Sequence, residues 1–493
     1  MREDFLIQSV RSVYRLDLRA LALLRITLSL ILLMDLIFRS ADLKAFYTGF
    51  GVLPVEALYQ FHWNPFYFSL LTTSDNYYIQ SIWFLLNIIS VFCLLVGYRT
   101  RLFTVIVWIF LISVHNRTPL IMQAGDHLLR MLLFWAIFLP WGYLLSIDAQ
   151  RHPPPRKTFS FISFAGLAYL CQIVFLYYFS ALLKSSEEWR SEFTAIYYAL
   201  SIDQIVRPIG EWMYPHYELL KAMTAGVYYV ELILPLLLFV PFYHAWLRML
   251  VIVGTVLLQL GIFATLNAGL FTAISIVMMV GLLPSSVMDK LWPKVSIRIE
   301  PLTENLGKLF FRFPNFRKNK SRRRLKPALA SEIIVGLSLL YVLAWNMGTV
   351  GRKIIPDSLL WIGYLFKLEQ HWAMFAPTVF KNDGWFIYQG TTEDGRMIDL
   401  LRKGAAVDYD KPARVADLVK NDRWRKYGEN IIMKSNSQVR PYLCNFLLNE
   451  WNSAHPDQSI HQLEIIYMHE ETLPEYRTAD VERWELCECT ASP

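Results

Sequence analysis

The stretch F-S-A-L-L-K-S-S-E-E-W, residues 179–189, marks the point where an apolar segment gives way to a polar loop. The apolar run ends at Leu183, and Lys184 follows it directly, five residues before Trp189. Two roles fit a lysine at such a boundary. Its ammonium can extend to the lipid headgroups, with the tryptophan as an interfacial anchor. Alternatively, the amine can lie in a desolvated site and act as a base.

The composition of the whole chain is that of a membrane protein. Apolar residues make up 55% of the 493 residues, and charged residues only 18%. In soluble domains about a quarter of the residues are charged. The net charge of +7 is concentrated in loops, which argues against nucleic-acid binding. No haem, flavin or iron–sulfur motif occurs, so a soluble electron-transfer protein is not expected.

We predict an all-α bundle of about nine transmembrane helices, because a span needs about 20 apolar residues. The candidate segments are 18–38, 77–97, 102–120, 127–146, 160–183, 218–241, 245–265, 268–284 and 329–347. Lysine and arginine cluster in alternate loops, most strongly in 285–327. Since cytoplasmic loops carry the excess of positive charge, the N-terminus is predicted inside and the chain after Gly348 outside. Lys184 then lies on the outer face, together with the polar segment 115–127.

Four parts follow from this pattern. They are a transmembrane bundle (1–284), a basic cytoplasmic loop (285–328), a last transmembrane helix (329–347) and an extracytoplasmic soluble domain (348–493). The soluble domain is predicted to be mixed α/β or β-rich, because 384–390, 397–401 and 463–468 have the pattern of strands. The basic stretch 314–326 is predicted to be disordered. Three cysteines of this domain, Cys444, Cys487 and Cys489, could form a disulfide outside the cytoplasm.

A carboxylate lies well inside one of the apolar segments. Glu231 belongs to the predicted span 218–241, where an isolated carboxylate would be protonated or paired with a cation. Lys184 and Arg117 are the two candidate partners. Both a structural ion pair and a catalytic group fit this pattern.

The segment from His115 to His127 places several polar residues around a proline and a glycine. Among them are His115, Asn116, Arg117 and Asp126. Irregular polar backbone at membrane depth is tolerated where it lines a cavity or is buried in protein, so a cavity lining is one interpretation and an ordinary outer loop is the other. The two histidines do not have the spacing of a zinc site, and no cysteine accompanies them, so no metal is expected.

Several motifs resemble the horizontally-transferred transmembrane (HTTM) domain family, to which proteins of the vitamin K-dependent γ-glutamyl carboxylase type belong. The matching segments follow one another in the family's order. They are H-N-R-T-P-L-I-M-Q-A-G-D at 115–126, F-L-P-W-G at 138–142, the stretch at 179–189, V-E-L-I-L-P-L-L-L-F at 230–239, L-Q-L-G-I-F at 258–263 and W-A-M-F-A-P at 372–377. The resemblance covers most of the chain and weakens after about residue 405.

The resemblance implies a lyase of the plasma membrane, in a bacterial type of this family. Lys184 corresponds to the proposed base that deprotonates a reduced isoprenoid quinone of the vitamin K or menaquinone type, and Glu231 would be its catalytic partner. The substrate would be a peptide or protein on the extracytoplasmic side, next to membrane lipid. Residues implied to shape the cavity or bind substrate are His115, Asn116, Arg117, Asp126, Trp189 and Gln259. Gln259 stands where the eukaryotic enzyme has a histidine, and a glutamine cannot shuttle protons as histidine does.

Two other functions remain open from the sequence. In the first, the chain is a non-enzymatic membrane protein that binds, exports or protects a peptide partner. In the second, it is a membrane enzyme that handles lipids without quinone chemistry.

Overall fold

A helical bundle and a tail domain with a five-stranded sheet make up the computed structural model, which describes residues 13–151, 159–310 and 327–491. The helices are α1 (Leu18–Ala41), α2 (Leu43–Tyr47), α3 (Val55–Phe61), α4 (Tyr77–Val96), α5 (Thr100–Arg117), α6 (Ala124–Ala136), α7 (Ile147–Arg151), α8 (Phe164–Leu183), α9 (Glu187–Arg190), α10 (Ala195–Leu200), α11 (Pro208–Met213), α12 (Tyr217–Ile233), α13 (His244–Thr265), α14 (Phe271–Val280), α15 (Ser285–Phe310), α16 (Leu329–Thr349), α17 (Leu360–Phe366), α18 (Asp422–Ile432) and α19 (Arg440–Ala454). The strands are β1 (Arg15–Asp17), β2 (Ser160–Ile162), β3 (Asn382–Thr392), β4 (Met397–Asp399), β5 (Ala405–Ala406), β6 (Ile460–Glu471) and β7 (Glu482–Thr490). The predicted disorder of 314–326 falls outside the described residues.

Six helical segments of the described chain are long and apolar enough to cross a membrane. They are α1, α4, α8, α12 with the 3₁₀ turn Leu234–Phe239 that follows it, α13 and α16. A seventh span is possible if α14 and α15, which meet at an angle of 101°, act as one broken span. These helices indicate a membrane protein.

The described residues therefore contain six or seven candidate spans, fewer than the nine predicted. Helix α6 has 13 residues and α14 has 10. At 1.5 Å per residue such helices are about 15–20 Å long, shorter than the ~30 Å hydrocarbon core. Helix α5 has 18 residues, but it begins with Thr100-Arg101 and ends with His115-Asn116-Arg117. The apolar stretch between these polar ends is shorter than a span requires. Part of the predicted basic loop is also helical, because α15 covers residues 285–310.

A buried network of amides and indoles joins α8 to the chain that leads from the last bundle helix to the tail domain. The Gln370 Oε1 atom accepts hydrogen bonds from Gln172 Nε2 at 3.1 Å, Asn346 Nδ2 at 3.2 Å and Trp372 Nε1 at 2.9 Å. Trp135 Nε1 donates to Gln172 Oε1 at 3.1 Å. All five side chains are buried, so each depends on the others for hydrogen bonds that lipid cannot supply.

Replacing Gln370 with leucine is expected to lower the free energy of unfolding by about 2–3 kcal/mol, because buried donors of Gln172, Asn346 and Trp372 lose their acceptor. Thermal unfolding of the purified protein in detergent measures the change. The matched control is Gln60→Leu, which makes the same chemical change at an exposed position. Equal melting temperatures for the two variants would show that the network does not stabilise the fold.

The tail domain is an antiparallel sheet with helices packed against it. The strand order is β5-β4-β3-β6-β7, and β3 pairs with β6 along nearly its whole length. The strands predicted at 384–390 and 463–468 lie in β3 and β6, and the one predicted at 397–401 coincides with β4 for its first three residues. Strands β5 and β7 are additional. A disulfide links Cys444 on α19 to Cys489 on β7, with 6.0 Å between the Cα atoms, and leaves Cys487 free.

The tail domain packs against one face of the bundle, and that face includes the two polar segments of the sequence. Near 115–127, Gln123 Nε2 donates to the Asp422 carboxylate at 2.6 Å. Near Lys184, the Ser186 amide donates to the Pro377 carbonyl at 3.3 Å. Both polar segments therefore contact the tail domain in the structure, while the prediction that all three lie on the outer side of the membrane stays a prediction.

Candidate functional site

Lys184 lies at the end of α8, where the helix stops. Its amide donates to the Ser180 carbonyl at 3.3 Å as the helix C-cap, and its backbone leaves helical geometry with ψ of 78°. The chain then turns, and α9 begins at Glu187. Because the helix does not continue, Glu187 and Glu188 are not placed one helical turn beyond the lysine. Glu188 instead pairs with Lys381 at 2.9 Å.

The Lys184 side chain is buried in protein and does not extend to the protein surface. The residue is only 3% exposed, and its Nζ donates to the Glu231 Oε2 atom. Glu231, on α12, is 6% exposed. Lys184 and Arg117 were the two predicted candidate partners of Glu231, and in the structure Lys184 is the one that contacts it. The two charges are thereby brought together in the interior, where each needs the other.

Trp189 covers the ammonium from the other side. The Nζ atom of Lys184 lies 4.5 Å from the centroid of the indole ring, within the range of a cation–π contact. The indole is held in place because its Nε1 donates to the Phe375 carbonyl of the tail at 2.8 Å. The tail segment 372–381 thus helps to close the site around Lys184, and the site is completed only when the tail is docked.

Gln259, on α13, contacts the same helix α8 closer to its N-terminal end. Its Nε2 donates to the Tyr177 hydroxyl at 3.1 Å, and Tyr177 precedes Lys184 by seven residues on α8, about 10 Å along the helix axis. The Gln259 Oε1 atom is buried and has no hydrogen-bond partner among the described residues. It is an acceptor that a ligand hydroxyl could satisfy.

Asp126 and His115 belong to a second polar cluster, which the tail completes. The Asp126 Oδ1 atom accepts hydrogen bonds from Arg39 of α1 at 2.6 Å and from Arg423 of α18 at 2.8 Å. His115 Nε2 lies 3.7 Å from the same oxygen. Asp35 contacts the same two arginines, each at 2.8 Å. Two carboxylates and two guanidinium groups alternate here, so the charges are balanced in a buried network.

Asn116 and Arg117 brace the loop between α2 and α4. Asn116 Nδ2 donates to the Phe68 carbonyl at 2.8 Å. Arg117, which is fully buried, donates to the Leu53 carbonyl at 2.7 Å and pairs with Asp75 at 3.1 Å. The polar segment 115–127 is therefore satisfied mainly by protein groups. The structure does not bring His115, Asn116, Arg117 or Asp126 into contact with the Lys184–Glu231 pair.

Two features of the tail side were not singled out from the sequence. One is Arg423, whose neighbours Asp422 and Trp424 give it the pattern of an ordinary surface helix. The other is Lys367, which follows α17 and lies 3.1 Å from Glu369 and 3.5 Å from the centre of the Tyr67 ring. Burial lowers the pKa of Lys367 to about 8. In the sequence, the one signal for a buried Lys367 is its position directly after an apolar helical segment.

Comparison of the chain with protein-family models, with curated proteins and with solved structures gives no match.

Proposed function

We propose that this protein is an integral-membrane lyase of the γ-glutamyl carboxylase type, in which Lys184 and Glu231 form a proton-transfer pair. The observation that supports it most is the burial of both charged groups in direct contact at the end of α8. A buried ion pair contributes little net stability. Ionisable groups inside membrane bundles, by contrast, commonly mark reaction or transport pathways.

The residues around the pair fit a reduced isoprenoid quinone. Gln259 offers the unpartnered Oε1 acceptor for a ring hydroxyl. On α12, Val230 and Ile233 are 37% and 53% exposed, and such an apolar helix surface suits an isoprenoid tail in lipid. When bound, the quinol would supply, together with dioxygen, the driving force for removing a glutamate γ-proton, after which the carbanion adds to carbon dioxide.

The chain's own contribution is to receive one proton and keep water away. The Lys184 Nζ atom would pass its proton to Glu231 Oε2 and take another from the quinol hydroxyl that is not bound to Gln259, so that the pair would end as an ammonium and a carboxylic acid. The pair would then have gained one positive charge, which would stabilise the oxyanion left by the proton transfer. Trp189 and the tail segment 372–381 exclude water, which strengthens this attraction.

The tail domain would position the peptide substrate. Because the tail docks on the face that carries Lys184, a peptide bound there would present its glutamate at the site. The Cys444–Cys489 disulfide supports an oxidising, extracytoplasmic location, as does the charge pattern of the loops. The resemblance implies a bacterial plasma membrane.

The test is incorporation of labelled carbon dioxide into glutamate-containing peptides by the protein in lipid nanodiscs, with reduced menaquinone and with vitamin K hydroquinone. We expect incorporation that requires both the quinol and dioxygen. If the protein binds peptide but incorporates no label with either quinol, the carboxylase proposal is wrong and a peptide-binding function is favoured.

A further inference from the structure

We propose that Asp203, Asp383 and Glu470 form a calcium site at the junction of the tail sheet with the bundle. One carboxylate oxygen of each residue lies within 4.8 Å of the others. Asp383 is on β3 and Glu470 on β6, whereas Asp203 lies in the turn after α10. The three carboxylates thus come from three separate parts of the chain.

Two of these carboxylates are placed unfavourably in the absence of a cation. Asp383 and Glu470 are direct partners in the antiparallel register of β3 and β6, and like charges directly opposite one another are destabilising. Both are buried, with 2% and 6% of their surface exposed.

Asp383 also has an oxygen with no partner. Its Oδ2 atom accepts a hydrogen bond from the Asp203 amide at 2.6 Å. Its Oδ1 atom is buried and has no hydrogen-bond partner among the described residues. Burying a carboxylate oxygen without a partner is costly, and this one belongs to the group of carboxylates that a metal ion could join.

Lys411 supplies the positive charge in the structure. Its Nζ contacts Asp203 at 2.6 Å and also contacts Glu470. One ammonium balances only one of three carboxylates. The Lys411 side chain is 40% exposed and lines a cavity of about 380 Å³ beside Asp203, so it has room to move away when a divalent cation enters.

The donor set points to calcium among the divalent ions. All three donors are carboxylates, which suit the hard cations calcium and magnesium, and zinc and copper favour histidine or cysteine. Calcium accepts irregular geometry and a mixture of carboxylate and water ligands, whereas magnesium needs a near-ideal octahedron. Ligands that come from a turn and two strands suit the irregular geometry that calcium accepts.

A bound calcium ion would fasten the tail to the bundle close to the Lys184 site. The turn that carries Asp203 already contacts β3, because Gln204 Nε2 donates to the Gly384 carbonyl at 3.0 Å. Two residues before Asp383, Lys381 pairs with Glu188 of α9, the short helix that follows Lys184. Calcium should therefore stabilise the docked tail, whether or not the protein is a carboxylase.

The experiment is calcium titration of the full-length protein in detergent after EDTA treatment, by calorimetry and by thermal unfolding. We expect one site with a Kd of about 10⁻⁴–10⁻³ M, as in extracellular calcium modules, and a higher melting temperature with calcium. Asp383→Asn keeps the acceptor for the Asp203 amide and should lose the site. Asp457→Asn, at an exposed position of the tail, should bind as wild type does.

Lys411→Met provides a test that does not depend on weakening the fold. If lysine competes with the metal, this variant should bind calcium about tenfold more tightly than wild type, because the site gains a full negative charge. A purely structural cluster would instead lose stability on this change and gain no calcium affinity. No saturable binding in wild type and Lys411→Met, unchanged binding in Asp383→Asn, or equal binding of magnesium would each overturn the proposal.

Discussion

Replacing Lys184 with methionine is expected to lower quinol-dependent incorporation of carbon dioxide by a factor of about 10²–10⁴, the usual contribution of a positioned proton-transfer group. Methionine is close to lysine in length and lacks the amine. The pair can then no longer receive a proton from the hydroxyl or present an ammonium to the oxygen that loses it. Initial rates at saturating quinol and peptide measure the effect.

Loss of folding must be separated from loss of chemistry in this experiment. Removing Lys184 alone leaves Glu231 buried without its cation, which costs about 3–5 kcal/mol. The double variant Lys184→Met/Glu231→Leu removes both charges and should recover most of that stability, since apolar replacement of a buried pair is often neutral. It should remain inactive. Activity in a well-folded double variant would remove Lys184 from the mechanism.

Replacing Arg423 with methionine is expected to destabilise the protein by about 3–5 kcal/mol, the cost of breaking a buried ion pair, and to loosen the tail. Arg423 bridges Asp35 and Asp126, both almost fully buried. Without it, two carboxylates would share Arg39 alone. The melting temperature and the rate of proteolysis within the tail measure the two effects.

The control for Arg423 is Arg396→Met, because Arg396 lies in the exposed turn between β3 and β4 and its side chain is 68% exposed. An exposed pair contributes about 0–1 kcal/mol, so this variant should melt close to wild type. Equal melting and proteolysis of the two variants would mean that Arg423 does not hold the tail on the bundle.

The pairing of Lys184 with Glu231 was accessible from the sequence because both residues carry local signals. One is a cation at an apolar boundary, and the other is a carboxylate inside an apolar segment. The cost of an isolated charge in such a place predicts that it finds a partner. What could not be read locally was the choice between Lys184 and Arg117, since that choice depends on which helices meet.

Arg423 could not be identified in the same way. The segment D-R-W-R-K-Y-G-E at 422–429 has an ordinary surface composition, and nothing local separates Arg423 from Arg425 or Lys426. Its burial arises from the carboxylates of α1 and α6, about 300 and more residues away in the chain. Similarly, Asp203, Asp383 and Glu470 have no common motif and meet only in the folded chain.

For a related reason, nine spans were predicted where the described residues contain six or seven candidates. Segments such as α6 and α14 are apolar because they are packed inside the bundle, and hydropathy does not distinguish a protein interior from lipid. Helix length decides whether an apolar segment can span the membrane, and helix ends depend on turns that are difficult to predict from the sequence. Strand β7 was missed because E-R-W-E-L-C-E-C-T is rich in glutamate and forms a sheet edge.

The most direct test of proton transfer to the Lys184–Glu231 pair is an infrared difference spectrum of the protein before and after addition of the reduced quinone. In wild type, the carbonyl stretch of a protonated carboxylic acid should appear as Glu231 receives its proton. In Glu231→Gln, that band should be absent while quinol binding persists. A wild-type spectrum without the band, or the same band in Glu231→Gln, would contradict the assignment of this pair as the proton acceptor.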